Sequence, residues 1–201
     1  MNKISKGQLS LLVVAMAAVL TVAGCSESPN EPSADAAAPP APAPQATTPG
    51  MTEALTPEQA GAQYHFGAEP TLAQDGQVVR TVVTVTNSGK VAVNSRGTLP
   101  VNLGISLIDG SGAMVTRDFV RASLPLEGIP VGGSADVVAE VPSKDVVGKG
   151  LRYGLVQEGV AWYSDLNVAA LDYGVLTACE DQGKQTICGK DGKPLAKAAA
   201  Q

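Results

Sequence analysis

The sequence predicts an all-β domain over residues 61–178, and three observations support this. Short runs rich in Val and Thr alternate between apolar and polar residues, which is the period of a half-buried strand. Clusters of Gly, Asn, Asp, Pro and Ser recur at intervals of roughly 10–15 residues and predict turns. No apolar pattern of useful length in this region has the period of a helix.

The first strands follow from this alternation. Residues 77–86 form a strand rich in Val and Thr that stops at the turn signal of residues 87–89. Residues 101–108 alternate cleanly, residues 109–112 turn the chain, and residues 113–120 return. The stretch 101–120 is therefore predicted to be a hairpin.

Later strands are predicted at 135–141, after a Pro- and Gly-containing turn, and at 151–156. Further strands are expected around 160–163 and at 173–178. About seven or eight short strands separated by turns suggest a sandwich or a barrel, and an immunoglobulin-like β-sandwich is the preferred fold.

The amino terminus has the three parts of a secretory signal peptide. Lys3 and Lys6 form a positive region, and the apolar run Leu9–Val22 follows. At roughly 14 residues the run is short for a spanning helix, which needs about 20. Residues 1–24 are therefore predicted to be a cleaved signal peptide, with an uncleaved anchor helix as the alternative.

Val22-Ala23-Gly24-Cys25 resembles the lipobox of bacterial lipoproteins. The resemblance implies that Cys25 is lipidated, that the chain is cut before it, and that multiple acyl chains hold it stably on a membrane. Ser26 takes the place where Asp usually retains a lipoprotein in the inner membrane. By the same resemblance, the location implied is the outer membrane of a Gram-negative cell, facing the periplasm.

Residues 25–60 are predicted to be a disordered, lipidated linker. Ala36 to Pro44 is an Ala/Pro-rich run that cannot form regular hydrogen-bonded structure. The net charge is −5, and loss of Lys3 and Lys6 would bring the mature chain to about −7. The absence of a basic stripe argues against a nucleic-acid partner, and lipid on Cys25 is expected to be the main membrane attachment.

Cys179 and Cys188 form an even pair once Cys25 is lipidated. They flank a polar stretch with a central Gly, which suits a hairpin turn. A structural disulfide is predicted, in keeping with an oxidising compartment. A metal or redox pair is the alternative, although the spacing is not CxxC. Residues 179–201 are thus expected to be a disulfide hairpin with a flexible tail.

Three segments resemble β-sandwich modules of bacterial glycan handling, among them the carboxyl-terminal glycan-binding domain of O-antigen ABC transporters. They are residues 83–89, 101–112 and 151–163, and the resemblance spans about 78–178. The most distinctive piece is Leu155 to Trp162 (LVQEGVAW), which is similar to a strand pair in uncharacterised domains near glycosyltransferases. The resemblance implies a glycan-binding sandwich. This chain has no phosphate-binding loop of an ATPase.

No catalytic constellation is apparent. His65 is the only histidine, so a two-histidine metal site is impossible, and no Gly-x-Ser-x-Gly elbow occurs. The acids are scattered, so spacing selects no carboxylate pair. The sequence therefore predicts no enzyme, no cofactor and no metal.

Ligand binding has better candidates near Trp162. Adjacent strand residues face opposite sides, so either Trp162 or Tyr163 is expected in the core and the other in solvent. An exposed aromatic ring stacks on the apolar face of a sugar, whereas a core tryptophan is the structural alternative. Arg117 and Arg121 suit a ligand or cross-strand ion pairs. The candidate binding residues are Arg117, Arg121, Gln157, Glu158, Trp162 and Tyr163.

Two functions remain open from the sequence. The first is a non-catalytic periplasmic lipoprotein that binds a glycan or another envelope component. The second is a structural or protein-interaction lipoprotein that acts in envelope assembly or maintenance through an edge strand or an aromatic patch.

Overall fold

The computed structural model describes residues 48–198; the predicted signal peptide, Cys25 and most of the predicted linker lie outside this range. The strands are β1 (Gln63–Ala73), β2 (Val78–Thr86), β3 (Val101–Ile108), β4 (Met114–Ser123), β5 (Ser134–Pro142), β6 (Gly150–Gln157), β7 (Ala161–Trp162), β8 (Leu171–Tyr173), β9 (Thr177–Asp181), β10 (Lys184–Cys188) and β11 (Ala196–Lys197). The helical segments are α1 (Ser143–Val146) and 3₁₀ turns at Gln74–Gly76 and Tyr163–Leu166. Within the described range, no helix has the length and apolar character needed to cross a bilayer.

The first sheet has the strand order β11-β1-β2-β5. β1 and β2 are antiparallel, with register shifts between Phe66 and Thr71 that mark β-bulges. β2 and β5 pair without a shift along their whole length. Alternation along β2 turns one set of side chains into the core: Val79, Thr81, Val83 and Val85.

The second sheet has the order β4-β3-β6-β7, and β8 also pairs with β6. β3 and β4 form the predicted hairpin, and β3 pairs with β6 along its full length. On its other side, β6 pairs with β7 at residues 156–157 and with β8 at residues 151–153. Residues 154–155 therefore have no strand partner on that side.

The hydrophobic core lies between these two sheets. Inward-facing pairs of β3 and β6 are Val101–Gln157, Leu103–Leu155, Ile105–Tyr153 and Leu107–Leu151. Outward-facing pairs are Asn102–Val156, Gly104–Gly154, Ser106–Arg152 and Ile108–Gly150. The predicted all-β, sandwich-like fold is confirmed. The pattern assigned no bounds to β1, which is 11 residues long but is interrupted by bulges, and it missed β8 and β11, which at three and two residues are too short to show alternation.

The predicted disulfide hairpin is confirmed. Cys179 on β9 is bonded to Cys188 on β10, and the two strands pair in register. Gln182 and Gly183 connect them with φ angles of 51° and 78°. Two central residues with positive φ form the type I′ turn that matches the twist of a hairpin, and Gly takes this conformation without steric cost.

The boundary predicted at residue 60 is too late, because residues 48–60 are a strap packed on the sandwich. Met51 and Leu55 belong to the hydrophobic core. Met51 donates its N–H to the carbonyl of Arg96 at 2.8 Å and accepts from Leu99 at 3.1 Å. The local sequence gave no sign of this anchoring, since Met51 and Leu55 are the strap's only residues in the buried core and the other contacts are mainly hydrogen bonds to the backbone of the strap, several of them from side chains distant in sequence.

The tail predicted to be flexible is instead part of the fold up to residue 198. Leu195 is buried, and β11 pairs in parallel with β1, with Thr71 opposite Ala196. The predicted strand 173–178 is also wrong in detail, because the chain divides it between β8 and β9 at residues 174–176. Leu176 fills the core at this break.

Candidate functional site

The outer face of the second sheet has a flat glycine floor. Gly104 of β3 and Gly154 of β6 lie directly opposite each other. The indole of Trp162 occupies the space over Gly104, where a β-carbon would lie 2.5 Å from ring atoms Cη2 and Cζ3. Trp162 reaches this face because it pairs with Val156, which also points outward. The indole is half-buried, and is neither a core nor a freely exposed residue.

Two guanidinium groups from β4 contact this indole. The guanidinium carbon of Arg121 lies 4.6 Å from the ring centroid, and that of Arg117 lies 5.5 Å away. Both distances are within the range of cation–π attraction, which holds the aromatic ring and the two cations together.

Glu158 positions Arg121. Its Oε1 accepts a hydrogen bond from Nε of Arg121 at 2.9 Å and one from Nδ2 of Asn102, also at 2.9 Å. Nη1 of Arg121 lies 2.7 Å from Asp118, in a charge contact that lacks the alignment of a hydrogen bond. Glu158 is itself fixed, because its N–H donates to the carbonyl of Pro100 at 2.9 Å in the turn after β6.

An open groove of about 610 Å³ runs beside the indole, between β4 and the segment that joins β7 to β8. Its volume is in the range of sites that hold small ligands. Its lining mixes apolar and charged side chains, among them Met114, Arg117, Arg152, Asp165, Val168, Ala170 and Asp172. A small recess shares several of these residues and reaches Trp162 and Gly154.

Two arginine–carboxylate pairs flank the groove. Arg152 donates to Asp172 through Nε at 2.7 Å and through Nη2 at 2.6 Å, a bidentate geometry. This hydrogen bonding raises the pKa of Arg152, so the guanidinium stays charged. Arg117 donates through Nη2 to both carboxylate oxygens of Asp165. Both guanidinium groups therefore have defined positions.

The wall of the groove is shaped by the 3₁₀ turn Tyr163–Leu166. The turn ends at Asn167, which has a left-handed backbone with φ 65°, and Val168 donates its N–H to the carbonyl of Tyr163 at 3.0 Å. Asn tolerates this conformation better than most residues. The buried Tyr163 anchors the turn to the core, and the turn presents Asp165 to Arg117.

Four of the six predicted binding residues come together at this site: Arg117, Arg121, Glu158 and Trp162. The other two, Gln157 and Tyr163, are corrections, because each is only 1% exposed. Gln157 faces inward in the alternation of β6. Tyr163 follows the outward-facing Trp162 at the start of the 3₁₀ turn, and its side chain faces the opposite way, into the core.

Sequence reasoning missed Arg152, Asp165 and Asp172. Arg152 stands between Leu151 and Tyr153, so the alternation of the strand was enough to place it on the outer face. The two aspartates lie in or beside the irregular segment after β7, where no period predicts direction. Their roles appear only once the fold brings that segment against β4 and β6.

Comparison of the chain with known protein families, with curated proteins and with solved structures gave no match. In the part of the chain that the structure describes, no group of three or more His, Cys, Asp or Glu side chains has the arrangement to hold a metal ion. The site therefore has to be interpreted from its own geometry.

Proposed function

We propose that this chain is a non-catalytic, lipid-anchored protein of the bacterial cell envelope that binds a glycan or another envelope component in the groove beside Trp162. The observation that supports it most directly is the half-buried indole, set between a glycine floor and two guanidinium groups at the edge of an open groove. An aromatic face offers the apolar surface on which a sugar ring packs. The arginines and carboxylates around it offer donors and acceptors for hydroxyl groups.

The placement in the envelope rests on the lipobox resemblance at Cys25 and agrees with a disulfide at Cys179–Cys188, which is typical of oxidising compartments. The fold proposed in finer detail is an immunoglobulin-like sandwich. A sheet of β1, β2 and β5 facing a sheet of β4, β3 and β6 is the arrangement that such a fold would have.

The binding proposal is tested by retention of the mature protein on immobilised envelope polysaccharide. Trp162→Ala is expected to lose retention while keeping its unfolding midpoint close to that of the parent. Val138→Ala is the matched control, because Val138 is 49% exposed on the opposite sheet. Equal retention of parent and Trp162→Ala, or no retention of the parent, would refute the proposal.

Lipid anchoring is tested separately in cells. The parent is expected in the membrane fraction as a processed form, whereas Cys25→Ala should remain as an unprocessed precursor. Processing of the variant at the same position would contradict the assignment of Cys25.

A second candidate function is interaction with an envelope protein along β4. This strand forms one edge of the second sheet, and Met114 and Val115 on it are 45% and 47% exposed. An open edge with exposed apolar side chains suits pairing with another chain. A photo-crosslinker at position 115 should capture one partner in intact cells, whereas the same group at position 138 should not.

A further inference from the structure

The charged groups along the groove already neutralise one another. Arg117 is bound to both oxygens of Asp165, and Arg152 is bound to both oxygens of Asp172. Each guanidinium therefore faces a carboxylate inside the groove itself.

The third guanidinium group, that of Arg121, is also paired with carboxylates. Arg121 is bound to Glu158 at 2.9 Å and approaches Asp118 at 2.7 Å. Around the indole, the three guanidinium groups are thus matched by four carboxylates, and none of the three is left without an acidic partner.

An acidic ligand would be poorly accommodated by this arrangement. An acidic group could reach the guanidinium of Arg117 or Arg152 in two ways: it could displace Asp165 or Asp172, or it could bind the remaining N–H groups beside that carboxylate. In both cases the aspartate stays next to the ligand and repels it.

A neutral hydroxyl group has no such penalty. Each carboxylate oxygen has lone pairs beyond those that the arginine uses, and the guanidinium of Arg152 keeps Nη1 outside its bonds to Asp172. A hydroxyl both donates and accepts, so it can join the ion pair without breaking it. The paired charges also hold these donors and acceptors in fixed directions, which reduces the entropy lost on binding.

We infer that the groove binds a neutral, hydroxyl-bearing saccharide and discriminates against acidic saccharides that carry uronic acid or phosphate groups. This inference rests on the proposed glycan-binding function of the same groove and specifies its ligand class.

The test uses matched polymers that differ only in charge. Polygalacturonic acid, alginate and hyaluronan are each compared with their carboxyl-reduced, neutral forms, with the mature protein as the binder. Binding is followed by fluorescence of Trp162, the only tryptophan of the chain. At least one neutral form is expected to bind tighter than its acidic parent.

A variant reverses the predicted preference. Asp165→Asn leaves Arg117 charged without its carboxylate, so affinity for the acidic polymers should rise and should weaken again with added salt. Asp145→Asn is the control, because Asp145 is exposed on α1 and does not line the groove. Its affinities should match those of the parent.

The outcomes separate the two proposals. Tighter binding of the acidic forms by the parent would overturn the neutral-ligand inference and leave glycan binding in place. No binding of any polymer in either form would overturn both. No gain by Asp165→Asn would show that the ion pair does not set the preference.

Discussion

The hydroxyl of Tyr64 on β1 accepts a hydrogen bond of 2.9 Å from the backbone N–H of Leu155 on β6, so one side chain links the two sheets. Leu155 lies where β6 has neither β7 nor β8 as a neighbour. Tyr64 therefore takes the place of a missing strand partner. An N–H group without a partner inside a protein is destabilising, which gives this bond a measurable effect.

Tyr64→Phe is expected to lower the free energy of unfolding by about 1–3 kcal/mol, since it leaves the N–H of Leu155 unsatisfied. Urea denaturation at pH 7 measures the change. Tyr163→Phe is the matched control, because the buried hydroxyl of Tyr163 has no hydrogen-bond partner among the described residues. Equal losses in both variants would contradict the role given to Tyr64.

Gln157→Ala is expected to loosen the strap of residues 48–60. Its amide accepts from the N–H of Leu55 at 2.8 Å and donates to the carbonyls of Glu53 and Leu99 at 2.7 and 3.1 Å. Loss of these bonds should reduce stability by about 2–4 kcal/mol and expose the strap to limited proteolysis.

Glu53→Ala is the control for that variant. It removes an exposed side chain and keeps the backbone carbonyl that Gln157 uses. Faster cleavage of the strap in Gln157→Ala than in Glu53→Ala supports the interpretation. Unchanged protection in both would contradict it.

Gly104→Ala is expected to displace Trp162, because the new methyl group would lie 2.5 Å from the indole. Overpacking of this kind typically destabilises by about 1–3 kcal/mol, and the ring should move toward water, with a red shift of tryptophan emission. Gly154→Ala is the control. Its methyl group would meet only Ala170, at 3.8 Å, so emission and stability should be close to those of the parent.

Alkaline pH should destabilise the fold. Burial raises the pKa of Tyr153 and Tyr163, so above a pH of about 10 these phenols ionise in the unfolded chain and resist ionisation in the folded one. The unfolded state then binds fewer protons, and the free energy of unfolding falls by about 1.4 kcal/mol per pH unit for each group. Below a pH of about 10, where the phenols are protonated in both states, their ionisation does not reduce the free energy of unfolding.

Denaturation between pH 8 and 11 checks this dependence. Tyr163→Phe should flatten the decline by about 1.4 kcal/mol per pH unit, the share of one phenol. An unchanged slope in the variant would mean that Tyr163 does not contribute.

Replacing Cys179 and Cys188 with Ser removes the disulfide and is expected to lower the free energy of unfolding by about 2.5–3 kcal/mol. The reason is that the crosslink limits the conformational entropy of the unfolded chain by closing a short loop. Reduction of the parent should produce a loss of similar size. A much larger loss in the variant than on reduction would point to packing of the buried Cys188 rather than to the crosslink.

Strands with clear alternation were predictable from the sequence almost to the residue. β3 was predicted at 101–108 and spans Val101–Ile108, and β5 was predicted at 135–141 and spans Ser134–Pro142. In both strands the large apolar side chains that face the core stand at every second position, which gives the sequence a period of two, although the outer face of β3 is also covered. The strap and the segment around β11 lack that period, because only isolated residues such as Met51 and Leu195, just before β11, are buried there.

Half of the candidate site was predictable for the same reason. Arg121 faces outward with the alternation of its strand, and Trp162 follows a recognisable turn. Alternation predicted that one of Trp162 and Tyr163 enters the core, and Tyr163 does, but the local pattern alone could not say which of the two it would be. The pairing of Arg117 with Asp165 depends on tertiary contact between elements far apart in sequence, which local patterns do not encode.

The parallel pairing of β11 with β1 also constrains the order in which the domain can assemble. Thr71 on β1 pairs with Ala196, which is synthesised 125 residues later. The first sheet therefore cannot be completed until residues 196–197 are available, even if β1 and β2 pair early. Contacts between such distant segments slow folding, and the exposed flank of β1 is open to incorrect pairing in the interval. A chaperone that shields nascent strands would therefore be most useful before residues 196–197 arrive.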